Sequence, residues 1–406
     1  MKLGYKNTEL GYIPETWSLK KLNILGDFKN GINKSKEDFG HGFPFVNINN
    51  VFENSVLEDV NNLELVNSND NERSNYSLKK GDVLFVRSSV KPEGVGLTTL
   101  IKEDMDNVVY SGFIIRFRTF KSNEIYEGFK RYIFNEFGFR NRLLSKSSIS
   151  ANTNINQSTL NNLKVILPPI EEQKAIANCL LIWDNSINKQ KQIISTKQLR
   201  LNALTQKLLF GKKRIFGFSE EWKEVKLGSL FSERNETKLD NLPLLSIGQQ
   251  GVYPQTDSNK RDISNADKSK YKRIVPGDIG YNTMRMWQGR SALSSLEGIV
   301  SPAYTILVPK NNVNPYYFSI LFKTSKLTNL FWRNSQGLVE DTLNCKYKDF
   351  SKIKYQVPSF EEQNAIAEIL KTAEKEIQLE KQKLEELKEQ KKGLMQQLLT
   401  GKVRLV

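Results

Sequence analysis

The segment Arg285-Met286-Trp287-Gln288-Gly289-Arg290 crowds hydrogen-bond donors around one aromatic ring. An arginine fork can hold the two major-groove acceptors of guanine, and a glutamine or asparagine amide can hold the edge of adenine. An aromatic ring among such donors is costly to leave exposed without use. Arg285, Trp287, Gln288 and Arg290 are therefore the leading candidates for reading bases. Arg333 and Gln336, in Arg333-Asn334-Ser335-Gln336, carry the same chemistry. Earlier in the chain, Arg87-Ser88-Ser89-Val90-Lys91 and Lys146-Ser147-Ser148 supply Arg87, Ser88, Ser89, Lys91, Lys146 and Ser147. Lysine and serine hold phosphates more often than bases. Asn47, Asn49, Gln249 and Gln250 complete the set. Any one of these residues alone also fits a solvated loop.

Catalytic constellations are not found. His41, the single histidine, stands between two glycines and is read as a loop residue. No Cys/His cluster has zinc spacing. Gly211-Lys212 and Gly401-Lys402 resemble the end of a phosphate loop, but Gln206 and Gln396 occupy the place of its first glycine. Asn314-Pro315-Tyr316-Tyr317 resembles the Asn-Pro-Pro-Tyr motif of amino-methyltransferases, with Tyr316 replacing the second proline. No glycine-rich S-adenosylmethionine loop precedes it, and Gly94-Val95-Gly96 lacks the acidic context. Residues 314–317 are expected to start a helix. The chain is expected to be non-catalytic, with no metal and no cofactor of its own.

The elements that must position the candidates come in duplicate. Leu167-Pro168-Pro169-Ile170-Glu171-Glu172-Gln173 returns as Val357-Pro358-Ser359-Phe360-Glu361-Glu362-Gln363, and Leu208-Leu209-Phe210-Gly211-Lys212 as Leu398-Leu399-Thr400-Gly401-Lys402. The residue numbers differ by 190 throughout. Upstream, Gly11-Tyr12-Ile13-Pro14-Glu15-Thr16-Trp17 echoes Gly217-Phe218-Ser219-Glu220-Glu221-Trp222, and Gly81-Asp82-Val83 echoes Gly277-Asp278-Ile279. These matches stay in order along the chain, so it is built twice. The segments are a first recognition domain at 1–166, a central helix at 167–212, a second domain at 213–356 and a C-terminal helix at 357–406.

Both helical segments carry a heptad seam, with apolar residues at alternating steps of four and three. In the second copy it runs through Ile366, Leu370, Ala373, Ile377, Leu384, Leu387, Leu394 and Leu398, interrupted by Glu380 and Lys391. In the first it runs through Ile176, Leu180, Trp183, Ile187, Ile194, Leu201, Leu204 and Leu208, interrupted by Gln190 and Lys197. A helix of about 40 residues is roughly 60 Å long and cannot hide such a stripe alone. The two are expected to pair with each other, antiparallel, with a recognition domain at either end. Packing on the domains, or on another molecule, is the alternative. Ser359 and Glu362 have capping-box spacing, and Gly211 and Gly401 stand at C-cap positions. The remaining regions hold strand patterns (82–86, 112–117, 304–308) followed by helical patterns near 126–145 and 315–332. The fold class is α+β: two α/β recognition domains separated by two long helices in an antiparallel coiled coil, a pseudo-two-fold repeat.

Lys plus Arg number 60 against 45 Asp plus Glu, a net charge of +15 over 406 residues. That balance favours a polyanion, nucleic acid first. No apolar stretch approaches the roughly 20 residues of a membrane span. The start of the chain lacks a signal peptide's apolar core, and two cysteines suit a reducing cytoplasm.

The duplicated Pro-x-x-Glu-Gln-x-x-Ile-Ala helix, its Leu-Leu-x-Gly-Lys ending, the Gly-aromatic-x-Pro-x-x-Trp start and the Gly-Asp-hydrophobic step together resemble the specificity subunits of type I restriction–modification systems. The resemblance spans essentially the whole chain. It implies that each recognition domain reads one half of a split, asymmetric site in double-stranded DNA. It implies helices that set the gap and dock two modification subunits, which would bind S-adenosylmethionine and methylate adenine. Restriction (motor-nuclease) subunits would join for cleavage. No base-contacting residue carries over by motif. The alternative class is a coiled-coil scaffold with two protein-binding heads.

Overall fold

A computed structural model describes residues 3–120, 124–149, 152–239, 241–248, 251–257, 267–337 and 342–405. Packing divides it into two compact units, Met1–Gln192 with Gln382–Val406, and Ile193–Lys381. The division at residues 166, 212 and 356 follows chain order, whereas packing cuts both long helices. Each unit takes one recognition region and about half of each helix.

In the first unit, Gly26–Asn30, Ile114–Thr119, Val83–Val86, Thr98–Ile101 and Val56–Leu57 form a five-stranded sheet in that spatial order. Its pairs are antiparallel except the last. Val83 and Phe85 face one apolar cluster, and Leu84 and Val86 face another. Period-two alternation thus buries both faces of the central strand. In the second unit, Phe231–Glu233, Tyr304–Pro309, Ile279–Asn282 and Ser291–Leu293 repeat the first four strands in the same order, all antiparallel. A two-stranded ribbon joins each domain to its helix: Ser18–Lys21 with Lys164–Leu167, and Lys223–Lys226 with Lys354–Val357.

Two sequence expectations need correction. Each helical pattern following the strands is two helices: Glu127–Ile133 and Phe137–Ser145, then Pro315–Leu321 and Ser325–Arg333. Glu136 makes the first break, because its carboxylate caps the next helix by accepting from Gly138 N and Phe139 N at 2.6 Å. His41 lies in the strand Phe39–Val46, where Gly40 and Gly42 take φ of +93° and +96° at a register shift. Asn314 does start a helix, since its Oδ1 accepts from Tyr317 N at 3.0 Å with Pro315 in the first turn.

The long helices are Ile170–Leu209 and Phe360–Leu399. Every seam position in both is buried or half-buried. In the first unit Ile176 and Leu180 share a cluster with Leu394, Leu398 and Leu399. In the second, Leu201, Leu204 and Leu208 pack with Ile366, Leu370, Ala373 and Ile377. In both units the start of one helix meets the end of the other, so the pairing is antiparallel. The polar interruptions are paired as well: Lys391 meets Asp184 at 2.5 Å, and Lys197 meets Glu376 and Glu380 at 3.1 and 3.2 Å.

The repeated Glu-Gln pair at each helix start locks domain to helix. Glu172, 4% exposed, accepts from Trp17 Nε1 at 2.8 Å and from both arms of Arg404 at 2.5 and 2.8 Å. Glu362, 2% exposed, takes Trp222 Nε1 at 3.1 Å and Arg214 at 2.6 and 2.8 Å. Arg214 and Arg404 again differ by 190. The capping box at Ser359 is therefore one-armed: Ser359 Oγ accepts from Glu362 N at 3.3 Å, but the Glu362 carboxylate turns to Arg214 and Trp222. Gln173 and Gln363 accept from the recognition-region amides of Tyr126 and Asn314 at 2.8 and 3.0 Å. Gly211 and Gly401 close the helices at φ of +65° and +70°.

Removing one partner of such a buried, charged group strands the others. Glu172→Ala and Glu362→Ala are each expected to lower unfolding free energy by about 3 kcal/mol. Trp17→Phe, which removes one N–H donor, should lower it by about 1 kcal/mol. Urea unfolding of the purified chain measures both. A glutamate variant as stable as the native chain would contradict the latch.

Candidate nucleic-acid interface

In the first domain the strand Val83–Val86 runs into Arg87, and Ser88–Ser89 then pair with Thr153–Asn154. That pair also takes Ser148–Ile149 on its other side. The Arg87–Lys91 loop and the Lys146–Ser148 segment, distant in sequence, thereby share one three-stranded ribbon. Ile48 and Phe52, of the short helix Ile48–Glu53, line one cleft with Ser88, Ser89 and Lys91. This brings Asn47 and Asn49 to the same region.

The side chains there have different fates. Asn47 caps the short helix, accepting from Ile48 N at 2.8 Å while its own N–H donates to Asn50 Oδ1. Arg87 is half-buried, and its Nη1 donates to the Gly112 carbonyl at 3.1 Å. Ser88 is buried, Ser89 Oγ accepts from Lys91 N at 3.2 Å, and Ser147 Oγ donates to Leu144 O at 2.7 Å. Asn49, Lys91 and Lys146 are exposed. Behind the loop, Arg140 Nη2 donates to the Glu93 carbonyl at 2.8 Å, and burial pulls its guanidinium below the usual arginine range.

The second domain repeats this arrangement with other residues. After Ile279–Asn282 the chain makes a 3-10 turn, Met286–Gln288, closed by Gly289 at φ +71°. Glycine takes that conformation with the least strain, and a Cβ there would be 3.3 Å from Lys323 Cα and Thr328 Cγ2. The turn is thus pressed onto the helix Ser325–Arg333, which ends at Arg333. Beyond that helix Gln336 exchanges two backbone bonds with Asn344. Cys345 N donates to Thr283 O at 2.9 Å, as Ile155 N does to Arg87 O in the first domain.

Trp287 is half-buried, and its Nε1 donates to Met284 O at 3.1 Å, so the ring is less exposed than its neighbours suggested. Arg285 is half-buried. Gln288, Arg290, Arg333 and Gln336 are exposed, with Gln336 Nε2 3.5 Å from Asp349 Oδ1. Gln249 and Gln250 lie outside the described residues. In each domain the loop after the central strand and the end of the second helix, with the segment after it, hold the described candidates, except Asn47 and Asn49, which lie at the start of the short helix Ile48–Glu53.

Sequence reasoning missed the apolar members of these surfaces. Phe52 and Phe113 are exposed in the first domain, Met284 and Trp332 in the second. Phe113 heads the run Phe113-Ile114-Ile115, and only its exposure separates it from its buried neighbours. The Gly-Asp step, by contrast, is structural. Asp82 takes both arms of Arg118 at 2.8 and 2.6 Å, and Asp278 takes Arg234 at 2.8 and 3.1 Å. Among the described residues no His/Cys/Asp/Glu group could hold a metal, and no helix is long and apolar enough to cross a membrane.

A strand-and-helix recognition domain built twice on an antiparallel helix pair defines a two-domain DNA-specificity protein. Residues 14–196 and 219–389 match the type I restriction modification DNA specificity domain, and the chain belongs to that family of specificity subunits. As such it is a non-catalytic DNA-recognition subunit that works with other restriction–modification subunits. It is 23% identical over 435 residues to the type I restriction enzyme MjaVIII specificity subunit of Methanocaldococcus jannaschii, covering 97% of this chain and 94% of that one. The HsdS subunit of Thermoanaerobacter tengcongensis shares its fold, with a TM-score of 0.54, 17% identity, and 96% and 98% of the two chains covered. So does a chain from a structure concerning complex assembly and conformational transition of the type I restriction–modification system, with a TM-score of 0.60, 14% identity, and 96% and 99% covered.

The exposed cations and donors separate by expected behaviour. Lys91→Ala and Lys146→Ala should weaken binding to every duplex and each flatten the salt slope by about one. A complex neutralising about ten phosphates has a log–log slope of roughly −9. Arg290→Ala should instead cost about 1–3 kcal/mol at one base pair and relax preference there. Fluorescence titrations of the reconstituted complex across salt concentrations read both. A uniform loss on all sequences for Arg290→Ala would contradict base reading.

Proposed function

We propose that this chain reads a split, asymmetric site in double-stranded DNA, residues 1–166 reading one half and residues 213–356 the other. The helical segments 167–212 and 357–406 fix the gap between the halves and dock two modification subunits. Those subunits bind S-adenosylmethionine and methylate adenine, and restriction subunits join them for cleavage. The work is done in the cytoplasm. Within this reading Arg285, Trp287, Gln288, Arg290, Arg333 and Gln336 serve the second half-site. Asn49, Lys91 and Lys146 serve the first, with Asn47, Arg87, Ser88, Ser89 and Ser147 shaping the surface that presents them.

The observation that carries the reading is duplication with divergence. The helix seams, latch glutamates and central strands recur in both halves, while the loops after those strands share no residue pattern. A protein that reads two different half-sites from one scaffold needs that combination. Half-site spacing then follows from scaffold geometry, as it does in dimeric DNA-binding proteins.

Inserting one heptad into both helices at matched positions is expected to lengthen the gap while leaving both half-sites unchanged. Inserting it into one helix alone should abolish methylation. Genome-wide mapping of methyladenine, with and without each variant, reads the result. An unchanged gap after matched insertion would end the ruler hypothesis.

A further inference from the structure

We propose that the first recognition domain reads the 5-methyl group of thymine through an apolar cleft walled by Phe52, Val90 and Phe113. This rests on the DNA-reading function above and names what one part of that surface recognises. The cleft, of about 470 Å³, lies against the ribbon that carries Ser88 and Ser89. Val90 is 81% exposed, Phe113 54% and Phe52 42%. Contiguous large apolar side chains left this wet mark a contact surface rather than a core edge. Half-buried Ile48 and Leu97 also line it. Gly94 lines it without a side chain, and a Cβ there would be 2.5 Å from Ser89 Oγ and 3.3 Å from Phe52 Cε1.

Charge and chemistry select the occupant. Exposed Lys91 is on the cleft's own loop, and exposed Lys146 stands two residues before the ribbon's Ser148. Cations beside an apolar surface match a duplex, whose phosphates flank its base edges. The apolar group the major groove offers is the thymine methyl. Glu93 on the rim repels phosphate, so this part of the surface suits a base edge better than a backbone.

The corresponding loop of the second domain carries Met284, 43% exposed, whereas Trp332, 50% exposed, lies on Ser325–Arg333, the counterpart of Phe137–Ser145 and not of the helix that bears Phe52. The loop recurs but its residues do not. A surface for docking two copies of one partner subunit would keep its residues in both domains. A surface for reading different bases would change them, and this one changes.

Deoxyuridine lacks only the methyl group of thymine, which gives a direct test. Duplexes bearing the site found by methyladenine mapping are made with each thymine replaced in turn. The reconstituted native complex should lose affinity about fourfold at one or more thymines of one half-site, the worth of one methyl group withdrawn from water. A variant with Phe113→Ala and Val90→Ser should bind thymine and deoxyuridine duplexes alike. Both side chains are exposed, so the variant should unfold at the native temperature, which calorimetry checks. The proposal is overturned if no thymine discriminates, if the variant keeps the discrimination, or if the variant loses partner subunits without DNA while base preference stays. Native complex that binds all sequences equally would overturn the DNA-reading function itself, and this inference with it.

Discussion

A long amphipathic helix cannot stand alone in water, and everything else in this protein follows from how two of them resolve that. Each is forty residues long and presents an apolar seam along most of its length. Pairing antiparallel buries both seams, and the charged seam residues then choose the register. Lys391 meets Asp184; a slip of one heptad would set it against Ala177 or Lys191 instead. Surface ion pairs add about 0–1 kcal/mol of stability. The cost of misplacing a charge gives such pairs their value as register marks.

The second constraint is attachment. Each recognition domain joins its helix through a buried glutamate held by a tryptophan from the domain's start and an arginine from beyond the other helix's end. The same carboxylate chemistry serves at both junctions. Deeper in the domains, Asp82 and Asp278 are retained, but the arginine comes from the strand Ile114–Thr119 in one and follows the strand Phe231–Glu233 in the other. What holds the scaffold was kept more strictly than what fills it, and the reading loops were kept least.

Much of this was legible in the sequence. The seam was readable because periodicity states a buried face directly, and the repeat because the helix copies keep a spacing of 190 and the upstream matches stay in order. The candidate loops showed as clusters of donors beside strands. The helix breaks at Glu136 and Thr324 did not show, because the apolar pattern continues through both. The latch was missed because Trp17 and Glu172 lie 155 residues apart, although both latch residues and their arginine recur in the second copy. Within the candidate site, sequence could not tell that Asn47 would cap a helix or that Arg87 would be spent on Gly112. Nor could it tell that Phe113 would face solvent while Ile114 and Ile115 faced the core.

The antiparallel pairing is tested most directly by paired cysteines. In a chain carrying Cys179→Ser, Ile187→Cys with Leu387→Cys places two thiols at facing seam positions, while Ile187→Cys with Ile377→Cys joins positions that would face each other only in a parallel pair. Mild oxidation of the full-length protein, followed by electrophoresis and peptide mapping, is expected to cross-link the 187–387 pair within one chain and leave the 187–377 pair reduced. Cross-linking of the 187–377 pair, with the 187–387 pair unreacted, would contradict the account.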